Sequence, residues 1–337
     1  MNYEFASAEN IGDRKEQQDR VAIATHPTEE DVLLAVLADG MGGHKGGAIA
    51  SQSVVDAAMG VFASFKPGTG VPRDWLHGMV MAAHERVARA GRGHNRDPRS
   101  TCAIALVSRE RIDWVHCGDS RLYQFRAGEF AGRTEDHSMV EILVKQGEIS
   151  EDDALVHPDR SKLFTSLGGP EAPQMAFGSI EQVEPGDAVL LASDGLWAYF
   201  RNRELAALVG YRGPTEACDR LVALARRRAA GNGDNLSVIM VRRTGSVAKR
   251  RLLGALFNAA GTKPVAPSSL EDCRRFLLAY LRGAGGAGVP DLVRRVEGCA
   301  TPEAMREVIG ASGTIFAAMT SRAKADAFAS RALDLLD

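Results

Sequence analysis

The sequence predicts an α+β fold, with layered sheets flanked by helices and a small all-α module at the C-terminal end. Three observations carry that reading. Apolar strand-like runs come in groups joined by hairpin turns instead of alternating one-for-one with helices, which favours layered sheets over parallel winding. Between the groups lie stretches whose apolar residues recur at helical period. Past Arg243 the texture changes to a turn-rich stretch and then to helix-patterned sequence alone.

The elements follow in order. Residues 32–38 are a continuous apolar run ending in Asp39-Gly40. Residues 48–65 set Ile49, Val54, Val55, Ala58, Met59, Phe62 and Phe65 on one helical face, and a second helix over 75–90 turns Leu76, Val80, Ala83 and Val87 inward. Strands are expected at 101–107, 112–117 and 122–125, with Gly128-Glu129 marking a hairpin turn. Asp113 and His116 alternate within their strand and are expected to face solvent, while Trp75, Trp114 and Trp197 are expected to pack in cores. Residues 139–146 read as a short helix closed by Gly147. The polar segment 150–176, with His157-Pro158 and Gly168-Gly169-Pro170, is long for a compact domain and reads as a flap spanning about 138–180 with its flanks. A strand at 188–193, a helix at 214–229 and a strand at 236–241 complete a main domain over 1–243. Residues 244–267 read as a linker, and 268–337 as helical. Ser268-x-x-Glu271 fits a capping box, Pro290 and Pro302 suit first turns, and a last helix is expected over 314–336. A module that small is expected to lean on the main domain, dimerise or dock a partner.

Bulk properties exclude several classes. A formal net charge of −2 gives no case for nucleic-acid binding. Five cysteines without a C-x-x-C pair suit a reduced protein. No membrane span and no basic-then-apolar leader is seen at the N-terminus, so a cytoplasmic location is expected.

The chemistry lies at the tips of the apolar runs. Four times such a run meets an aspartate beside a turn residue: Asp39-Gly40, Gly118-Asp119-Ser120, Asp194-Gly195 and Gly233-Asp234-Asn235. Buried strands fix direction, so their terminal carboxylates can converge. Clustered carboxylates repel unless a cation compensates them, and oxygen-only ligands suit Mg²⁺ or Mn²⁺. The glycines after Asp39 match neither phosphate-cradling fingerprint, so a nucleotide loop is not indicated. No cysteine sits in a C-x₅-R loop, so no thiolate nucleophile is expected.

The order Arg14-x-x-Gln17-Gln18-Asp19, Asp39-Gly40-Met41-Gly42-Gly43-His44, Ser100-Thr101, Gly118-Asp119-Ser120-Arg121, Asp136-His137-Ser138, Ser193-Asp194-Gly195 and Gly233-Asp234-Asn235 resembles the bacterial branch of the metal-dependent, type-2C protein phosphatases over residues 5–243. The resemblance implies a four-layer α-β-β-α sandwich of two antiparallel sheets. It also implies phosphoserine/phosphothreonine hydrolysis by a hydroxide bridging two Mn²⁺ or Mg²⁺ ions, with a third, weaker ion as in bacterial relatives. Asp39, the Gly40 carbonyl, Asp194 and Asp234 would hold the two ions, Asp119 and Asp194 with Ser161 the third, and Arg14 would grip the phosphate. Gln18, Asp19, His44, Asp136, His137 and Asn235 would support that shell. Gln17-Gln18 stand ahead of Asp19 where the family usually carries Asn and then Glu or Gln, and Gln18 brings no charge. Met41 stands where the eukaryotic branch has a histidine and cannot donate a proton, which leaves the leaving-group acid open. Expected partners are phosphoproteins and an opposing serine/threonine kinase. The rival readings are a phosphoprotein-binding regulator with little turnover and a hydrolase of small phosphate esters.

Overall fold

Strand residues 33–41 read as one apolar block because both faces of the strand are covered. In β3 (Leu33–Met41), Leu33, Ala35 and Leu37 face one core while Leu34, Val36 and Ala38 face another, as the period of two requires. In β11 (Leu236–Arg243), Ile239 and Val241 share the first of those cores while Leu236, Val238 and Met240 turn away from it. The computed structural model describes residues 2–41, 46–91, 97–154, 157–211, 213–244, 274, 277–278 and 289–311.

The chain divides into two compact units, Met1–Arg250 and Arg251–Asp337. In the first, one sheet runs β1 (Tyr3–Asn10), β11, β10 (Ala188–Ala192), β7 (Arg121–Arg126), β8 (Glu129–Arg133). The other runs β2 (Asp19–Thr25), β3, β5 (Cys102–Ser108), β6 (Arg111–Cys117), β9 (Ala176–Ile180), with β4 (Arg99–Ser100) beside the end of β3. Every pairing is antiparallel. Leu33, Trp114, Leu122, Leu191 and Ile239 fill the space between the sheets. Helices α1 (Gly46–Phe62) and α2 (Pro72–Gly91) cover the outer face of the second sheet, burying Val54, Ala58, Leu76 and Val80. The short α5 (Asp194–Trp197), with α6 (Asn202–Tyr211) and α7 (Pro214–Ala229), covers the first, burying Trp197, Leu205, Leu221 and Leu224. Two antiparallel sheets between helical layers is the expected architecture.

The flap begins with α3 (Met139–Lys145), capped by Ser138, whose hydroxyl accepts from the Glu141 N–H. It continues through α4 (Glu151–Ala154) and is tied back by the bridges Ser138–Leu163 and Ser100–Leu167. Three expectations need correcting. Ile49 is 42% exposed, because its position in α1 turns away from the sheet. Asp113 and His116 are buried on opposite faces of β6: Asp113 pairs with Arg111 at 2.7 Å, and His116 lies 2.9 Å from the Glu135 carbonyl in the β8–α3 segment. The β7–β8 turn falls at Ala127-Gly128, one residue early, with both in the left-handed region.

In the second unit the described helices are α8 (Val289–Glu297) and α9 (Pro302–Ala311), with Leu292, Val296, Met305 and Ile309 buried. The capping box at Ser268 and the helix expected over 314–336 lie outside the described residues. No helix among the described residues is long and apolar enough to cross a membrane.

Candidate metal centre

Topology brings the aspartates together. β10 and β11 are antiparallel neighbours, with Ala192 opposite Val238, so the chain leaving β10 at Ser193-Asp194 meets the chain entering β11 at Asp234-Asn235. Gly195 is required here: a Cβ on it would lie 2.0 Å from the Asn235 carbonyl oxygen. Asp39 and Asp19 stand directly opposite one another on β3 and β2. Like charges in that relation destabilise a sheet, so the pairing serves something other than stability. The main chain around Asp39 is fixed by the Thr101 hydroxyl, which accepts its N–H at 3.1 Å, and by the Thr101 N–H and Ser100 hydroxyl, which donate to its carbonyl at 2.9 and 3.0 Å. Gly40 packs so closely on the Gly47 carbonyl that a Cβ would come within 2.0 Å of it.

The electrostatics are those of an uncompensated acid cluster. Burial first, then Asp19, Asp194, Asp119 and Asp234, push the Asp39 carboxyl well above its ordinary range. Asp119 is pushed the same way by burial and then by Asp194 and Asp136. Burial raises Asp194 to about 6, with Asp234 adding and Arg160 and Arg14 opposing. Burial raises Asp19 to about 7, although the Ser193 hydroxyl donates to it at 2.7 Å.

Above the cluster opens a cleft of about 120 Å³ lined by Arg14, Asp119, Arg160, Asp194, Tyr199 and Asp234 among others. Arg14, largely exposed, donates to Asp234 at 2.6 Å. The loop carrying Arg14 is stapled by Asn235, whose amide donates to the Ile11 and Glu16 carbonyls at 2.8 and 3.0 Å while its oxygen accepts the Gln18 N–H at 2.8 Å. Gln18 lies against Gly47, its side-chain oxygen 2.7 Å from where a Gly47 Cβ would be. Ser161 sits exposed in the flap turn and is not part of the cleft lining; its neighbour Arg160 is. Asp136 does not face the cleft: it grips Arg121 through two bonds of 2.8 and 2.7 Å. Arg121 lies 3.4 Å above the Trp197 ring, and Trp197 donates to the Asp119 carbonyl at 2.9 Å. His137 holds Gly118, its ring Nδ1 accepting the Gly118 N–H (3.2 Å) and its backbone N–H donating to the Gly118 carbonyl (3.0 Å). His44 lies outside the described residues.

Sequence reasoning missed Asp13, Arg160 and Tyr199, and quoted Arg121 within a motif without giving it a role. Asp13 accepts from the Gly233 N–H at 2.7 Å and pairs with Arg226, clipping the Arg14 loop to the start of β11. Its signal was faint, a lone Asp after a glycine, with its partner more than 200 residues away.

The donor set fits divalent cations. Among the described residues no three acidic, histidine or cysteine side chains close into a cage. Even so, Asp119, Asp194 and Asp234 line one cleft, Asp19, Asp194, Asp119 and Asp234 all press on the buried Asp39, and Arg14 pairs with Asp234 at 2.6 Å. Oxygen donors with water completing the shell are what Mg²⁺ and Mn²⁺ take.

The chain is similar in sequence and fold to known proteins. The chain is 32% identical over 217 residues to a protein phosphatase 2C-type protein of Streptococcus pyogenes, covering 63% of this chain and 87% of that one. The crystal structure of the Mycobacterium tuberculosis serine/threonine phosphatase PstP/Ppp matches at 30% identity and a TM-score of 0.62, over 72% of this chain and 99% of that one. A PstP catalytic domain in complex with two manganese ions matches at 28% identity and a TM-score of 0.61, again over 72% and 99%. The family model for Protein phosphatase 2C matches residues 8–222, well over half of the sequence, and the chain belongs to that family.

Proposed function

We propose that this chain is a metal-dependent phosphatase that hydrolyses phosphoserine and phosphothreonine in proteins. The observation that carries the reading is the acid cluster itself: Asp39, Asp119, Asp194 and Asp234 gathered under one cleft with the Arg14 guanidinium at its mouth. The names of the relatives, serine/threonine phosphatases, support the substrate class, and the manganese complex supports the cofactor class. In this reading Asp39, Asp194, Asp234 and the Gly40 carbonyl hold two Mn²⁺ or Mg²⁺ ions, and Asp119 with Asp194 serves a third. Bound divalent cations supply Lewis acidity toward the phosphate and acidify the attacking water.

The chain's own residues do the rest. Arg14 leaves Asp234 and turns its planar fork to the phosphate oxygens, where it meets charge that grows in the transition state. Asn235 and Asp13 keep the Arg14 loop in register with Asp234. Arg160 and Tyr199 stand on the rim, where the peptide flanking the phosphoresidue would lie. An open rim of this kind suits a protein segment better than a small enclosed ester. Opposition to a serine/threonine kinase, and docking or dimerisation through the C-terminal helices, belong to the same scheme.

The test is hydrolysis of a phosphothreonine peptide with Mn²⁺, with chelator, and by Asp39→Asn. Turnover that needs Mn²⁺ and disappears in the variant supports the proposal. A folded protein inactive in every divalent metal would instead be a phosphoprotein-binding regulator. Removing 268–337 should leave hydrolysis of a small chromogenic phosphate intact and change it only on the phosphoprotein; equal behaviour on both would reject docking.

A further inference from the structure

In-line displacement at phosphorus puts the incoming and the departing oxygen on opposite sides of the phosphate. The acid cluster lies beneath the cleft, so water activated there arrives from below. The serine or threonine oxygen then departs toward the mouth, on the side of the peptide. It leaves as a strong base, and a proton donor standing at the mouth lowers the barrier.

The described lining offers few donors. Arg14 and Arg160 keep their protons at any working pH, and Asn232 carries no acidic proton. The Trp197 N–H is already given to the Asp119 carbonyl at 2.9 Å. Asp119, Asp194 and Asp234 are needed as anions. What remains is the phenol of Tyr199.

Tyr199 is half-buried and fixed through its main chain. The turn that opens at Asp194 leads to it: the Ala198 N–H donates to the Asp194 carbonyl at 3.1 Å, and the Tyr199 N–H donates to the Leu196 carbonyl at 3.2 Å. Arg228 donates to the Tyr199 carbonyl at 2.8 Å and lies over the Phe200 ring, 4.8 Å from its centroid. The hydroxyl itself is bonded to no other described residue, so its proton is not committed within the chain. The charges that act on the phenol are those of the cleft. Burial holds it above its ordinary pKa, Arg160 draws it down, and Asp194, Asp234 and Asp13 push it up. The phenol therefore carries its proton at neutral pH, and Arg160 is placed to stabilise the anion left behind. An alkoxide is a far stronger base than a phenolate, so the transfer is favourable as the ester bond breaks.

We propose that Tyr199 is a catalytic residue of this chain, the general acid that protonates the leaving serine or threonine oxygen. As the P–Oγ bond breaks, its electron pair goes to Oγ and the phenol proton moves there, giving the neutral alcohol. The new P–O bond comes from water, and the proton which that water gives up returns to the phenolate through solvent. The inference rests on the phosphatase reading and assigns the donor that Met41 cannot be.

The test is Tyr199→Phe in the full-length protein, which keeps the ring and removes only the hydroxyl. Wild type and variant are compared with Mn²⁺ on a series of substituted phenyl phosphates and on a phosphothreonine peptide. From p-nitrophenol to phenol the leaving groups share one shape and grow steadily less acidic. With Tyr199 as the acid, the deficit in kcat/KM is smallest on p-nitrophenyl phosphate, grows along the series and reaches about 100-fold on the peptide. A hydroxyl that only supports the fold, or only touches the flanking peptide, would change every aryl phosphate by one factor or by none. Either result overturns the proposal while leaving the phosphatase reading intact. A wild-type protein without turnover on any of these substrates would remove that reading and this inference with it.

Discussion

Replacing Asp19 with Asn should stabilise the metal-free protein near neutral pH and do far less in acid. Asp19 is 1% exposed, and burial, with Asp194 and Asp234 adding, holds its carboxyl at about 7 instead of 3.8. Its folded pKa therefore lies above the unfolded value. Between about pH 4 and about pH 7 the native state binds more protons than the unfolded chain, so stability falls as pH rises through that window. Once ionised, the carboxylate carries a penalty of roughly 4 kcal/mol, an upper figure because the neighbouring aspartates share the titration. Asn removes the charge and keeps an acceptor for Ser193, but its amide needs a new partner, which costs about 1–3 kcal/mol. The net gain is about 1–3 kcal/mol, or roughly 5 °C in Tm for a domain of this size. The assay is thermal unfolding by circular dichroism in chelator, at about pH 5 and about pH 7.5, with a parallel series in Mn²⁺. The gain should be present at the higher pH, absent at the lower, and erased by Mn²⁺, because cations relieve the repulsion in both proteins. Equal destabilisation by Asp19→Asn at both pH values would refute the reasoning, since Asp19 would then carry no unfavourable charge in the metal-free fold.

Arg14→Ala should lower kcat/KM by about 10- to 100-fold with Tm unchanged, since a charge-assisted bond to the phosphate is lost while the exposed side chain supports little structure; Arg14→Lys should recover only part, and an unchanged rate would remove Arg14 from phosphate binding. Gly195→Ala should cost at least about 3 kcal/mol in urea unfolding, because the new methyl would lie 2.0 Å from the Asn235 carbonyl oxygen; a near-neutral effect would mean that the β10–β11 ends can part without penalty. Arg121→Met should cost about 3 kcal/mol by leaving the buried Asp136 with only the longer contact to Arg133 at 3.9 Å, and Asp136→Leu in the same chain should restore much of it.

What could be read from the sequence followed from backbone rules. The double-faced burial of β3 and β11 made apolar runs, and the aspartates at their tips were visible because a strand end fixes where its side chains go. The burial of α2 followed from period alone, with Leu76, Val80, Ala83 and Val87 all inside. Asp113 and His116 were misread because alternation does not say what comes to lie over a strand residue; the Glu135 carbonyl meets His116, and Arg111, two residues along the same face, meets Asp113. Arg121 and Asp13 were illegible for a related reason. A charged residue beside a strand looks solvated until its partner arrives from elsewhere, as Asp136 and Gly233 do. β1, β2 and β9 are short or interrupted by polar residues, the longest apolar stretch being Val21-Ala22-Ile23-Ala24, and gave no long run to read.

The position of the cluster follows from the same sandwich. Asp39 and Asp19 belong to one sheet, Asp194 and Asp234 to the ends of neighbouring strands in the other. Only the apposition of the two sheets over Leu33, Leu191 and Ile239 brings the pairs together. The apolar packing that makes the fold is therefore what forces the carboxylates within reach of one another, against their own repulsion. A single-sheet site could relax by splaying a strand end, but here Asn235, Thr101 and Ser193 pin the ends from inside the sandwich. The strain cannot be dissipated by motion of the backbone, so it is relieved by protons or by cations. Protons suffice below about pH 6–7, where Asp194 and Asp19 titrate. Above that range a divalent ion is the remaining counter-charge, and its binding should release protons and tighten as pH rises until the cluster is fully ionised.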